Sequence, residues 1–216
     1  MFTGIVQEIG TVVGSVRTGK NIALTVRAEK TARHLKPGSS IAVNGTCLTA
    51  VETGTDSFTA EIVEESLRKT AMASQLERKY LNLELPLRAD GLIDGHLVLG
   101  HVDTTGVITS IEDRGESWWF SVRIPGEFLR FIVHTGSIAI DGVSLTVAGL
   151  EGDVCRISII PHTMKNTIFQ YYRLSERVNI EVDVIGKYVE RMMRGEKGQA
   201  EIQPHHTIGS LRDQGF

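Results

Sequence analysis

Residues Ser40–Ala50 read SIAVNGTCLTA, and residues Ser137–Val147 read SIAIDGVSLTV, keeping six of the eleven residues of the first stretch. Each sets an Asn-Gly or Asp-Gly pair between two runs rich in branched residues, the pattern of antiparallel strands joined by a tight turn. The correspondence extends outward on both sides. At an offset of 96 or 97 residues, GIVQEIGTV (Gly4–Val12) falls on GHVDTTGVI (Gly100–Ile108), and FTAEIVEESLRKT (Phe58–Thr70) falls on CRISIIPHTMKNT (Cys155–Thr167). LNLELPL (Leu81–Leu87) likewise falls on VNIEVDV (Val178–Val184). Four blocks in one order make this a duplicated domain, with a period far longer than the roughly 20 to 50 residues of solenoid units.

The first domain spans residues 1–87, the polar RADGLIDG at 88–95 is a linker, and the second domain spans 96–184. Within each half, short Val, Ile and Thr-rich stretches are punctuated by glycine turns: IVQEIGTVVGSV, NIALTVRA, SSIAVNGTCLTAVE, DSFTAEIV and YLNLEL. Strands at this spacing predict an all-β chain of two small antiparallel barrels, since closure removes exposed edges. Short helices interrupt them at EESLRK, after Pro125 and at Pro161, where a missing N–H costs nothing in a first turn. Outside the repeat, IGKYVERMMRG carries Ile185, Tyr188, Val189, Met192 and Met193 at helical spacing, so a helix over 185–194 with an apolar stripe for a neighbouring subunit is expected. Residues 195–216 are polar and without pattern, and a disordered tail is expected there.

Composition narrows the function. The net charge of −3 over 216 residues gives no basic footprint for nucleic acid. No apolar run reaches membrane-spanning length and the opening MFTGIVQEIG is no secretion signal, so a cytoplasmic protein is expected. The two cysteines, Cys47 and Cys155, lack metal or redox spacing. His96 and His101 offer a weak metal pattern, and Trp118-Trp119 reads as strand and core aromatics. GxGxxG, GxxxxGK[ST] and GxSxG are all missing.

Chemistry is expected where the two copies diverge. Alternation along a strand places Cys47 beside Thr49 and Ser144 beside Thr146, each pair just after its turn. A cysteine in a strand is ordinarily a small core hydrophobe, and strand Ser and Thr ordinarily satisfy backbone groups. Their aligned positions in a repeat raise these residues above that background. Ile5 against His101 is the second divergence, and imidazole is the side chain that titrates near neutrality.

Together MFTGIV, NGTCLT, EESLRKT, DGHLVLGHVD, SIAIDGVSLTV, IIPHT and VNIEVDVIGKYVER resemble the riboflavin synthases of the two-barrel type, over nearly all of residues 1–194. The resemblance implies two six-stranded Greek-key barrels, a C-terminal helix helping to form a homotrimer, and no metal or organic cofactor. It also implies a dismutation in which two molecules of 6,7-dimethyl-8-ribityllumazine exchange a four-carbon unit in sites between subunits. Carried over by position, one pocket holds Gly4, Ile5 and Val6 with Cys47, Leu48 and Thr49, and with Glu61, Ile62, Val63, Glu64, Glu65 and Ser66. The other holds Gly100, His101 and Val102 with Ser144, Leu145 and Thr146, and with Ser158, Ile159, Ile160, Pro161, His162 and Thr163. His101 is the candidate for proton transfer, Ser144 and Cys47 for binding the carbanion or guiding the adding nucleophile, and Phe2 for packing at the mouth of the site.

Two departures stand out. Thr135 sits where the family pattern has Lys, which removes a charge from the substrate contacts expected there. Glu64-Glu65-Ser66-Leu67 replaces a Pro-Glu-Thr-Leu. The rival reading is a lumazine or flavin-binding antenna protein of the same fold, a group in which GHVD and SLTV are replaced; both are intact here.

Overall fold

The computed structural model describes residues 1–194, so the expected 195–216 tail lies outside the described residues. Twelve strands close into two barrels of six. The first contains β1 (Glu8–Thr18), β2 (Asn21–Arg27), β3 (Ser40–Val43), β4 (Thr46–Thr53), β5 (Ser57–Ile62) and β6 (Tyr80–Glu84), in the closed order β1-β2-β5-β4-β3-β6. The second contains β7 (Thr104–Asp113), β8 (Trp118–Arg123), β9 (Ser137–Ile140), β10 (Val143–Glu151), β11 (Val154–Ile159) and β12 (Arg177–Val182), closed in the equivalent order. All pairings are antiparallel, and bulges at Val12/Gly14 and Ala50/Glu52 recur at Ile108/Ser110 and Val147/Gly149. Such bulges bend a strand and help a six-stranded sheet close.

Alternation fills each barrel. Leu24, Val26, Leu48, Ala50, Phe58, Ala60, Ile62, Leu81 and Leu83 point into the first, and Ile108, Phe120, Val122, Leu145, Val147, Ile157, Ile159, Val178 and Ile180 into the second. Four strands break the alternation: β3, β6, β9 and β12 are buried on both faces, because their outer faces form the seam between barrels. Of the paired tryptophans, Trp118 packs on the second core, while Trp119 turns outward under Arg114.

The seam is polar at its centre. The turns Asn44-Gly45 and Asp141-Gly142 meet back to back, and a Cβ on either glycine would fall 2.6 Å from the other's backbone nitrogen. Asn82 Nδ2 donates to Asp141 O (2.9 Å) and its Oδ1 accepts from Ile168 N (2.8 Å); Asn179 Nδ2 donates to Asn44 O (2.8 Å) and its Oδ1 accepts from Ala71 N (2.7 Å). Each barrel thus lends one asparagine to bind two backbone groups of the other. Gln75 bridges them, donating to Asp141 and accepting from Asn44, and Tyr172 donates to Asp141 in a short bond. Burial pushes the Asp141 carboxyl up to about 6 and the Tyr172 phenol well above its ordinary value.

Helices α1 (Glu64–Lys69) and α2 (Met72–Gln75) precede β6, and α3 (Pro161–Asn166) with a 3-10 turn at Ile168–Tyr171 precedes β12. Helix α4 (Val184–Met193) is capped by Asp183, whose side chain accepts from Ile185 N. Its Ile185, Tyr188, Val189, Met192 and Met193 are all exposed in the single chain.

Candidate functional site

The paired polar residues share a face, and that face is the outer one of each barrel. Cys47 and Ser144 are half-buried, Thr49 and Thr146 exposed, while Leu48 and Leu145 point into the cores. Register extends each pair into a stripe across strands: Ser40 opposes Thr49, which opposes Glu61 on β5, and Ser137 opposes Thr146, with Ser158 next along β11 opposite Trp119. Both stripes end at a helix start. Val63 and Ile160, exposed, lead into α1 and α3 without a side-chain cap, so Glu64, Glu65, Pro161 and His162 lie at the surface with Ser66 and Thr163 half-buried.

The leading segments cross over, which corrects the grouping expected from the repeat. Ser144 N donates to Gly4 O (2.7 Å), and Cys47 N donates to Gly100 O (2.9 Å). The arm at residues 3–7 therefore lies on the second barrel's β10, and the arm at 99–103 lies on the first barrel's β4. Val6 packs against the second core and shares a cavity of about 570 Å³ with His162. One wall thus joins Cys47, Thr49 and the 61–66 stretch to Gly100, His101 and Val102. The other joins Ser144, Thr146 and the 158–163 stretch to Gly4, Ile5 and Val6. Sequence alignment identifies equivalent positions, but it carries no information on which copy touches which. Gly4 (φ +76°) and Gly100 (φ +79°) permit the crossing, because a Cβ on them would sit 2.6 Å from Ser144 and 2.7 Å from Cys47.

A buried glutamate holds each arm. Glu84 accepts from Thr3 N (2.7 Å), Thr3 Oγ1 (2.9 Å) and Gly4 N (3.0 Å), and Glu181 accepts from Leu99 N (2.6 Å) and Gly100 N (3.0 Å). Burial raises both carboxyls, Glu181 to about 7, against the pull of those N–H donors. The strand reading of LNLELPL and VNIEVDV gave no sign of either clamp, because both faces of β6 and β12 are covered.

A further residue missed by the sequence is His96. Its Nδ1 lies 2.7 Å from Ser144 Oγ, and its backbone N–H donates to Thr3 O (3.1 Å). The ring is buried, its Nε2 has no partner among the described residues, and burial lowers its basicity. His96 precedes the repeated blocks, so Cys47 has no equivalent partner. Sequence carried one signal: a histidine at the linker's end, weighed there only as a metal ligand. Among the described residues no three His, Cys, Asp or Glu side chains gather for a metal ion.

Two expectations need correction. Phe2 is not at a mouth: it is fully buried on the seam with Ala42, Val98 and Ala139, and bridges Val98 through backbone bonds. Leu48, Ile62, Leu145 and Ile159 bury their side chains in the cores, so only their backbone faces the walls. Thr135 is exposed at φ 62° before β9, a conformation that Gly38 adopts in the first half.

The lumazine binding domain family matches the chain twice, over residues 3–86 and 99–183. The riboflavin synthase of Bacillus subtilis (strain 168) is 38% identical over 216 residues, covering 100% of both chains, and that of Actinobacillus pleuropneumoniae is 36% identical with the same coverage. The riboflavin synthase of Mycobacterium tuberculosis is 40% identical over 200 residues, covering 90% of this chain and 98% of that one. Among solved structures, LumP complexed with riboflavin has a TM-score of 0.78 at 21% identity, covering 84% of this chain and 99% of that one. LumP complexed with 6,7-dimethyl-8-(1'-D-ribityl) lumazine has a TM-score of 0.76 at 21% identity and the same coverage. At that identity the likeness is one of fold.

Proposed function

The chain belongs to the riboflavin synthase family, and from that membership we propose how its two walls divide the reaction. It is an enzyme that converts two molecules of 6,7-dimethyl-8-ribityllumazine into riboflavin and 5-amino-6-ribitylaminouracil by moving four carbons from one to the other. The reaction needs two copies of one substrate, and the crossed arms build two similar but chemically unequal walls. That crossing is the observation that carries the reading.

Within one chain the two walls sit on different barrels. Between them lie the back-to-back turns and the packed Phe2, Ala42, Val98 and Ala139. We therefore place each active site between the first wall of one subunit and the second wall of its neighbour. A contact of unlike surfaces closes only as a ring, and a homotrimer is the ring we propose, with the exposed apolar stripe of α4 in its interface. Bringing two bound pteridines into register supplies catalysis by proximity, worth up to about 7–11 kcal/mol when geometry is good. Two free thiols, Cys47 and Cys155, suit a reducing compartment, and we assign the activity to the cytoplasm.

The chemistry needs a base to take a proton from the donor's C7 methyl group, and a nucleophile to activate the acceptor. His101, exposed beside Cys47, is our candidate for moving the methyl proton. Ser144 with neutral His96 against its hydroxyl is suited to add to the acceptor or to guide an adding water. Cys47 lines the first wall as a hydrogen-bonding partner of the carbanion.

Adding 6,7-dimethyl-8-ribityllumazine to purified protein and following flavin absorbance tests the whole. Turnover without added cofactor supports the synthase, and stable binding without turnover supports an antenna protein. Unchanged single-turnover rates in both His101→Gln and Ser144→Ala would overturn the roles given to these residues.

A further inference from the structure

The duplication provides an internal control for the arm that carries His101. Both arms are stitched to the last strand of their own half in the same way. In the first, Gln7 N donates to Leu83 O (2.9 Å) and Gln7 Oε1 accepts from Leu85 N (3.2 Å). In the second, Asp103 N donates to Ile180 O (2.9 Å) and Asp103 Oδ2 accepts from Val182 N (3.0 Å). What the second half adds is charge. Asp103 Oδ1 meets Lys187 Nζ at 2.7 Å, with the two side chains only 18% and 30% exposed, and Lys187 stands on α4. At the equivalent place the first half has Asp90, which pairs with Arg88 inside the exposed linker. The neutral stitch therefore suffices where the arm carries Ile5, and a charged one is present where it carries His101.

We infer that Asp103 and Lys187 are positioning residues, a latch between α4 and the His101 arm that fixes the imidazole against the first wall. His101 lies between two anchors, Gly100 on Glu181 and Asp103 on Val182 and Lys187. Releasing the second anchor frees the backbone on its C-terminal side while Glu181 still holds the other. Because reacting groups tolerate little displacement, a shift of about 1 Å in such a support lowers turnover by up to about a hundredfold. A half-buried pair is also screened less by salt than an exposed one. The inference rests on the role proposed above for His101, so its test carries one readout that does not depend on turnover.

Lys187→Met, Lys187→Arg, Asp103→Asn and the Asp103→Asn/Lys187→Met double variant are compared with the parent. Asp103→Asn keeps an acceptor for Val182 N, as Gln7 does for Leu85, and removes only the charge. Turnover of 6,7-dimethyl-8-ribityllumazine is measured alongside hydrogen–deuterium exchange of the 99–103 and 3–7 segments. Lys187→Met and Asp103→Asn are expected to lower kcat by about ten to a hundredfold with KM within about twofold. They should speed exchange at 99–103 and leave 3–7 unchanged. Lys187→Arg restores both readouts, and the double variant is no worse than the poorer single one, as for partners in one interaction. Unchanged exchange at 99–103, or kcat within about twofold of an active parent, or losses that multiply in the double variant, would each overturn the latch. Faster exchange in a chain whose parent lacks turnover supports the latch and refutes the role given to His101.

Discussion

Replacing Asn179 by Ala removes half of the reciprocal clasp at the seam. Asn179 is 1% exposed, and its amide satisfies two backbone groups of the first barrel, Ala71 N at 2.7 Å and Asn44 O at 2.8 Å. Alanine leaves both buried without partners, and each such group costs about 1–3 kcal/mol. The expected destabilisation is therefore about 2–6 kcal/mol. With a urea dependence of about 3 kcal/mol per molar, the upper end for small proteins, the midpoint should fall by about 0.7–2 M. Trp118 and Trp119 both lie on β8, so their fluorescence reports the second barrel, while circular dichroism averages over both. Separation of the two curves would show the barrels uncoupling. Asn179→Asp keeps an acceptor for Ala71 N but sets a carboxylate oxygen against Asn44 O, so at pH 7 it should behave like the alanine variant. A loss below about 1 kcal/mol in Asn179→Ala would refute the assignment of seam stability to these bonds.

Gly100→Ala sets a methyl 2.7 Å from Cys47 Cβ and 2.9 Å from Phe2 Cε2 at φ +79°; it should lift the arm off β4 and reduce turnover by at least about a hundredfold, measured by flavin absorbance. Glu181 ionises near 7 in the fold against 4.5 ordinarily, so its contribution to stability is complete below about 4.5 and is lost as pH rises through 7. The shift corresponds to about 3 kcal/mol; urea titrations should show the parent's advantage over Glu181→Gln shrinking by up to that amount between pH 4.5 and 8. Thr135→Gly relieves a branched residue at φ 62°, as Gly38 does in the first half, and should raise stability by about 1 kcal/mol after the entropy cost of glycine.

The duplication, the strands and the turns were legible because branched residues alternate and glycines mark the corners. Cys47 shares a face with Thr49 and Ser144 with Thr146, as period-two alternation predicts; that this face is the outer one comes from the structure. Three things lay beyond that logic. The crossing of Gly4 to Ser144 and Gly100 to Cys47 depends on how two closed barrels dock. The clamps by Glu84 and Glu181 depend on the burial of a strand's second face. His96 reaches Ser144 from the position just after the linker, which has no counterpart in the first half to compare it with. Phe2 is a further case: the resemblance implies a place at the mouth, but the seam takes up this large side chain where the two barrels meet.

The crossed arms also constrain the order in which the chain can fold during synthesis. The first barrel is complete once β6 has left the ribosome, yet Cys47 N awaits Gly100 O, and the residue 3–7 arm awaits a β10 that has still to be made. Gly4 and Ser144 close a loop of about 140 residues, a late and slow contact on topological grounds. Until then the nascent first half presents an unpaired Cys47 N–H and a loose arm, which a second nascent chain could capture in place of its own. Domain exchange between copies is therefore the characteristic misfolding route of this architecture, most acute when many chains are made close together.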